Sequence, residues 1–93
     1  MLTHVVCFKF DDLQTAEDVK ARLLAMAERV PSLRAIEAGV DVVRSPRSYD
    51  VALITRFDDL AGLEAYQIDP VHQEVVEFIK PRSRGAVSVD FES

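Results

Sequence analysis

Residues 49–81 read YDVALITRFDDLAGLEAYQIDPVHQEVVEFIKP, a strand pattern followed by two helix starts. Tyr49 to Phe57 is dense in β-branched and aromatic side chains, which favour a strand. Asp58-Asp59 can cap a short helix over Leu60 to Tyr66, because aspartate side chains accept hydrogen bonds from the free N–H groups of a first helical turn. This part of the chain therefore predicts a strand that passes directly into a helical layer.

A second helix start follows at once. Asp69 is placed to cap, and Pro70 takes the first helical position, where its missing N–H costs no hydrogen bond. This helix is predicted to run to about Lys80, and Pro81 ends it. The alternating segment from Gly85 to Phe91 then predicts the last strand.

The residues before position 49 predict two more strands and one longer helix. His4 to Phe10 (HVVCFKF) predicts the first strand, and the period-two alternation from Arg34 to Val43 predicts a second, which pairs as a hairpin with the strand after it. Between them an apolar stripe with a period of three to four predicts a helix capped by Thr15 and ended by Pro31. The stripe consists of Ala16, Val19, Leu23, Met26 and Val30.

The order strand, helix, strand, strand, helix, strand predicts an α+β, ferredoxin-like βαββαβ fold. Its four-stranded antiparallel sheet is expected to have the order four, one, three, two, with the helices on one face. The 93 residues suffice for one modest core, so residues 1–93 are expected to form one domain.

The two central strands are apolar on both faces. In the first strand Val6 alternates with Val5 and Cys7, and in the strand after the hairpin Leu53 alternates with Ile54. Since the helices cover only one face, another surface must cover the other, and the chain has no spare element. We expect a homodimer through the helix-free sheet face, in which two sheets pack about 10 Å apart. The alternative is a monomer with an apolar open sheet.

Composition excludes several classes of protein. The net charge is −5, and no basic stripe with interleaved aromatic residues exists, so neither nucleic acid nor an anionic membrane is an expected partner. There is no membrane-length apolar run and no secretory signal, so the expected location is cytoplasmic. The single cysteine, Cys7, rules out an internal disulfide and a multi-cysteine metal cage, and the two histidines lack a recognised metal-ligand spacing. We therefore expect no metal and no cofactor.

Four segments together carry a resemblance: the opening MLTHVVCFKF, Gly39-Val-Asp41, the stretch from Ser48 to Pro81, and the closing GAVSVDFE. They resemble the stress-responsive α/β-barrel family, known as Dabb domains, over essentially the whole chain. The most specific part runs from Tyr49-Asp50 through Tyr66 to Asp69-Pro70-Val71-His72. The resemblance implies a ferredoxin-like protomer and a dimeric α/β barrel, but no single activity.

In a plant member of this family, which closes a linear polyketide by an aldol-type condensation, a histidine acts with a tyrosine and a further histidine lies in the pocket. The resemblance places these roles on His72, Tyr66 and His4. The position before the proline, a histidine in the plant enzyme, is Asp69 here.

The residues themselves support two readings of each candidate. The positive end of the helix dipole disfavours protonation of His72, which suits a general base, although Asp69 acts in the opposite direction if it contacts the ring. Tyr66 can donate to a carbonyl oxygen that gains enolate character. The alternatives are a histidine that packs at a helix start and a tyrosine in the core.

The first strand adds a candidate substrate-binding surface. His4 shares a strand face with Val6 and Phe8, and if this face meets the helices it reaches the same cavity as His72. The alternative is a hydrogen-bonded histidine at a strand end. The predicted substrate-binding residues are His4, Val6, Phe8, Leu23 and Val75.

Basic residues after the last helix, Lys80, Arg82 and Arg84, are expected to be solvated surface. The alternative is a pocket mouth that attracts anions.

The sequence thus predicts a small, stress-related homodimer with an apolar ligand pocket between helices and sheet and no assignable reaction. The alternative is a cofactor-independent polyketide cyclase, lyase or isomerase, with His72 as general base and Tyr66 as enolate stabiliser. The ligand would be small and apolar, or polyketide-like.

Overall fold

The computed structural model describes residues 1–93. Along the chain the elements are β1 (Leu2–Lys9), α1 (Leu13–Leu24), β2 (Ala35–Val40), β3 (Val51–Phe57), α2 (Leu60–Ile68), α3 (Pro70–Ile79) and β4 (Gly85–Glu92). The four strands form one antiparallel sheet in the order β2-β3-β1-β4. This is the predicted order read from the opposite edge, so the α+β, ferredoxin-like fold is confirmed.

The hydrophobic core lies between the helices and one face of the sheet. Its strand residues alternate with exposed or half-buried ones, as expected when one face of a sheet is covered. The core side chains from β3 and the helices are Val51, Leu53, Phe57, Ala16, Val19, Leu23, Leu63, Tyr66, Val75 and Ile79. No helix exceeds the twelve residues of α1, and none combines the length and apolar character needed to cross a bilayer.

Aspartates cap all three helices. Asp59 and Asp69 cap α2 and α3 as predicted, and Pro70 takes the first position of α3. For α1 the predicted cap was wrong. The carboxylate of Asp12 accepts the N–H of Thr15 at 2.7 Å, so Asp12 is the cap and Thr15 lies within the first turn.

Helix α1 ends earlier than its apolar stripe. Met26 and Val30 are buried as the stripe requires, but the helix ends at Leu24 and the chain continues in tight turns. Glu28 has φ 67°, a left-handed conformation that interrupts a right-handed helix. Periodicity reports which residues face the core, and these turns keep the same residues facing inward.

The hairpin strands are also shorter than predicted. Strand β2 ends at Val40, and Val42 and Val43 beyond it are 89% and 74% exposed, so they do not continue the alternation. Strand β3 begins at Val51 rather than Tyr49. The residue before it, Asp50, is buried and has a separate structural role.

Asp50 joins three parts of the chain. Its carboxylate accepts the backbone N–H of Phe10 at 2.7 Å and lies 2.7 Å from the guanidinium of Arg44. The Phe10 hydrogen bond, with a smaller contribution from Arg44, lowers the pKa of Asp50 below its usual value. The ionised carboxylate therefore stabilises the folded state, because a buried N–H needs a partner.

We expect Asp50→Asn to lower the free energy of unfolding by about 2 kcal/mol at pH 7, since hydrogen bonds to charged groups are among the stronger ones. Because the folded-state pKa is lowered, this contribution is present above the ordinary aspartate pKa of about 4 and is lost as the pH falls through the folded value. Urea denaturation should show the gap between wild type and variant closing in acid. A gap independent of pH would contradict this role.

The face of the sheet opposite the helices, here called the open face, carries an apolar band across three strands. Val5 lies opposite Ile54 on one side and Val89 on the other, and Cys7 lies between Ala52 and Val87 in the same way. Three large apolar side chains of β4 are strongly exposed on it. They are Val87 (52%), Val89 (64%) and Phe91 (45%).

Candidate ligand site

A cavity of about 480 Å³ lies between the sheet and helix α3. Its lining residues are His4, Val6, Phe8, Leu23, Leu53, Tyr66, His72, Val75, Val76, Ile79, Lys80, Ser83, Gly85 and Ala86. All seven residues proposed from the sequence for catalysis or substrate binding are among them, so the fold gathers them at one place. What they do there remains a prediction.

Strand and helix periods explain this convergence. Alternation along β1 places His4, Val6 and Phe8 on the side of the helices, and α3 lies across them. Helix spacing brings His72, Val75 and Ile79 onto the matching face of α3. The cavity walls are therefore mostly aliphatic and aromatic.

Tyr66 and His72 lie in contact at one end of the cavity. Their ring centroids are 4.1 Å apart, and the Tyr66 ring also packs against Phe57 at 5.1 Å. The Tyr66 hydroxyl is buried and has no hydrogen-bond partner within the protein. Burial raises the pKa of Tyr66, so its phenol remains protonated and can act as a donor at neutral pH.

The ring of His72 has a defined orientation. Its Nδ1 lies 3.3 Å from the backbone oxygen of Gln67. Since a carbonyl oxygen only accepts, Nδ1 carries the proton in the neutral ring and Nε2 carries the lone pair. Burial lowers the pKa of His72, and the opposing effects of the Gln67 hydrogen bond and of Asp69 are smaller. His72 is thus neutral and basic near pH 7.

Asp69 does not hydrogen-bond the ring of His72. Its carboxylate accepts the N–H of Val71 at 2.8 Å, as a helix cap does. Its effect on His72 is the weakest of those that shift the pKa of that ring.

His4 is held by a residue that the sequence did not single out. The Nδ1 atom of His4 hydrogen-bonds the carboxylate of Asp90, which lies directly opposite it on β4. The His4 ring lies 6.4 Å from that of Tyr66, edge-on. Asp90 alternates with Val89 and Phe91, so its side of β4 was predictable, but the β1–β4 register that pairs it with His4 was not.

The polar groups of the cavity do not form a metal cluster. No group of three or more histidine, cysteine, aspartate or glutamate side chains is gathered in a ligand-like arrangement anywhere in the structure. Lys80 is the one lysine or arginine in the lining, and no aspartate or glutamate contributes to it.

The three basic residues after α3 differ in their surroundings. Arg84 pairs with Asp11 at 2.9 Å, and the guanidinium of Arg82 stacks on the ring of Phe78 at 3.9 Å. Lys80 is exposed, as expected, and it also borders the cavity.

A family model described as Stress responsive A/B Barrel Domain (Dabb) matches residues 2–93. No curated protein matches the chain. The structure is similar to that of a dimeric ferredoxin-like protein of unknown function from Thermobifida fusca, with 26% identity, 99% of this chain and 90% of that chain covered, and a TM-score of 0.86. A second such dimeric protein, from Jannaschia, has 25% identity, coverage of 99% and 98%, and a TM-score of 0.81.

A hydroxynitrile lyase from Passiflora edulis shares the fold at 13% identity, with 97% of this chain and 90% of that chain covered and a TM-score of 0.82. At that identity the similarity concerns the fold alone. The two bacterial neighbours are described as dimers, which agrees with an apolar open face that needs a cover.

Proposed function

Because this chain belongs to the stress responsive A/B barrel family, we propose that it is a homodimer in which each protomer binds a small, largely apolar ligand with a carbonyl group. The ligand occupies the cavity between α3 and the sheet. The observation that carries the proposal is that Tyr66 lines an apolar cavity and that its buried hydroxyl has no hydrogen-bond partner.

The dimer forms through the open face. Val5, Ile54 and Val89 lie side by side across three strands, and an apolar band of this kind is stable in water when a second sheet packs on it. A two-fold axis lets the same band cover itself in both copies. The similar bacterial proteins are described as dimeric, which supports a dimer for this chain.

The cavity suits a small organic molecule. Its volume of about 480 Å³ lies within the range of small-molecule sites. A buried hydroxyl without a partner costs about 1–3 kcal/mol, and a carbonyl oxygen is the simplest ligand atom that would accept its hydrogen bond. The ligand is therefore expected to carry an oxygen that reaches Tyr66 and to be apolar where it lies along the aliphatic walls.

Binding of a medium-chain methyl ketone and of the alkane of equal length, followed by NMR titration, tests this proposal. We expect the ketone to bind more tightly, and Tyr66→Phe to weaken ketone binding about threefold to tenfold, the value of one neutral hydrogen bond, while alkane binding is unchanged. Tyr49→Phe, outside the cavity, is the matched control. Equal ketone affinity in wild type and Tyr66→Phe would reject the hydroxyl as the recognition group.

A second candidate function, proton transfer next to the carbonyl, is favoured by the contact between His72 and Tyr66. The lone pair on Nε2 of His72 takes a proton from the carbon beside the carbonyl, and the charge that develops on the carbonyl oxygen is held by the Tyr66 hydroxyl. Cyclase, isomerase and lyase reactions share this step. The chemistry needs both groups on one side of the same ligand.

Incubation with a panel of β-polyketone thioesters, with products followed by mass, tests this second candidate. Turnover above that of Tyr66→Phe and His72→Gln is expected for an enzyme. Ligand binding with equal product formation in all three proteins would leave the binding function alone.

A further inference from the structure

The cavity has two different polar ends. At one end lie His4, Tyr66 and His72. At the other, the backbone N–H of Arg84 donates to the oxygen of Lys9 at 2.8 Å, which brings the segment after α3 to the far end of β1. Lys80 and Ser83 therefore border the cavity at the end away from Tyr66.

The separation of these ends follows from element geometry. His72 and Lys80 are eight residues apart at the two ends of α3, which is about 12 Å along a helix axis. His4 and Phe8 span about 13 Å of β1 on the opposite wall. Between the ends the walls are apolar, with Val6, Leu53, Val75, Val76 and Ile79 among them.

The charge of the lining is opposite to that of the protein. The chain has 16 acidic and 11 basic residues and a net charge of −5, yet the lining contains one lysine and no carboxylate. None of the ion pairs in the structure involves Lys80, whereas Arg34, Arg44 and Arg84 each pair with aspartate. Lys80 is thus a cation at the cavity border without an acidic partner.

We propose that the ligand is a linear amphipathic carboxylic acid whose carboxylate binds Lys80 at one end of the cavity and whose carbonyl oxygen accepts from Tyr66 at the other. Its hydrocarbon chain lies along the apolar walls between them. This inference rests on the proposed ligand-binding function and adds the chemical class of the ligand and its direction in the cavity.

The test compares a ten-carbon acid that carries a ketone beside its terminal methyl group with the methyl ester of the same acid. We expect the acid to bind about fivefold more tightly at low ionic strength, the value of a partly exposed ion pair, and high salt to remove the difference. Lys80→Gln should abolish the preference, and Lys80→Arg should keep it. Arg82→Gln, which removes a nearby cation stacked on Phe78, should also keep it.

The outcomes separate this inference from the proposed function. Ester binding in Lys80→Gln shows that the variant is folded and its cavity intact. Equal affinity of acid and ester in the wild type would overturn the carboxylate assignment while leaving the cavity a ligand site. A preference that persists in Lys80→Gln would overturn the role of Lys80, and failure of both compounds to bind would overturn the ligand-binding function as well.

Discussion

Ile54→Asp is expected to convert the proposed dimer into a monomer. Ile54 lies at the middle of the open face, between Val5 and Glu37 on the adjacent strands, so packing a second sheet on it would bury the new carboxylate. Burial of an unpaired charge costs about 3–5 kcal/mol, and the two-fold symmetry of a homodimer places one such charge in each copy. Sedimentation or light scattering should report half the wild-type mass.

A matched substitution controls for the added charge itself. Ile68, on α2, is 79% exposed, and Ile68→Asp should leave both the mass and the circular dichroism spectrum unchanged. If Ile54→Asp keeps its native secondary structure but aggregates, the open face is exposed because the dimer no longer covers it, and Ile54 still belongs to the interface. An unchanged dimer would show that the protein associates through another surface.

For the proposed proton transfer, His72→Gln is expected to reduce turnover at least about 100-fold, the usual contribution of a positioned general base. Glutamine keeps a polar side chain of similar length but cannot take up the proton. Glu74→Gln, on an exposed position of the same helix, should retain wild-type rates and serves as the control. Comparable rates in the two variants would remove His72 from the chemistry.

The pH dependence provides an independent readout for the same residue. Burial lowers the pKa of His72 below the usual value of about 6.5, so the neutral, basic ring persists to lower pH than in an exposed histidine. The wild-type rate should therefore be lost only in acidic solution, at a lower pH than the titration of an exposed histidine would give. This acidic limb is assigned to His72, and it should be absent from the residual activity of His72→Gln.

The architecture was open to prediction from the sequence because the signals that carry it are local. The alternation at Val5, Val6 and Cys7 and the caps at Asp59 and Asp69 act over a few residues, and the structure confirms the strand order and both caps. Element ends were predicted less well. The helix that was expected to reach Pro31 ends at Leu24. The prediction was too long because the turns that follow the helix also keep Met26 and Val30 inward, so the apolar period continues beyond the helix end.

The candidate site was also predictable only in part. Tyr66, His72 and His4 were expected from the residues and the family resemblance, and the structure places them around one cavity. The partners of these groups were not predictable. Asp90 reaches His4 only through the pairing of β1 with β4, across 86 positions of sequence.

By itself, the sequence determined which side chains face inward, where two of the three helices begin, and that both faces of the central strands are apolar, since these depend on the short periods of strands and helices. Only the tertiary structure decided that Asp50 holds Phe10 and Arg44, that the Tyr66 hydroxyl has no partner, and that Lys80 borders the cavity far from His72. Strand register and helix packing determine these features, and no local pattern in the sequence records either one.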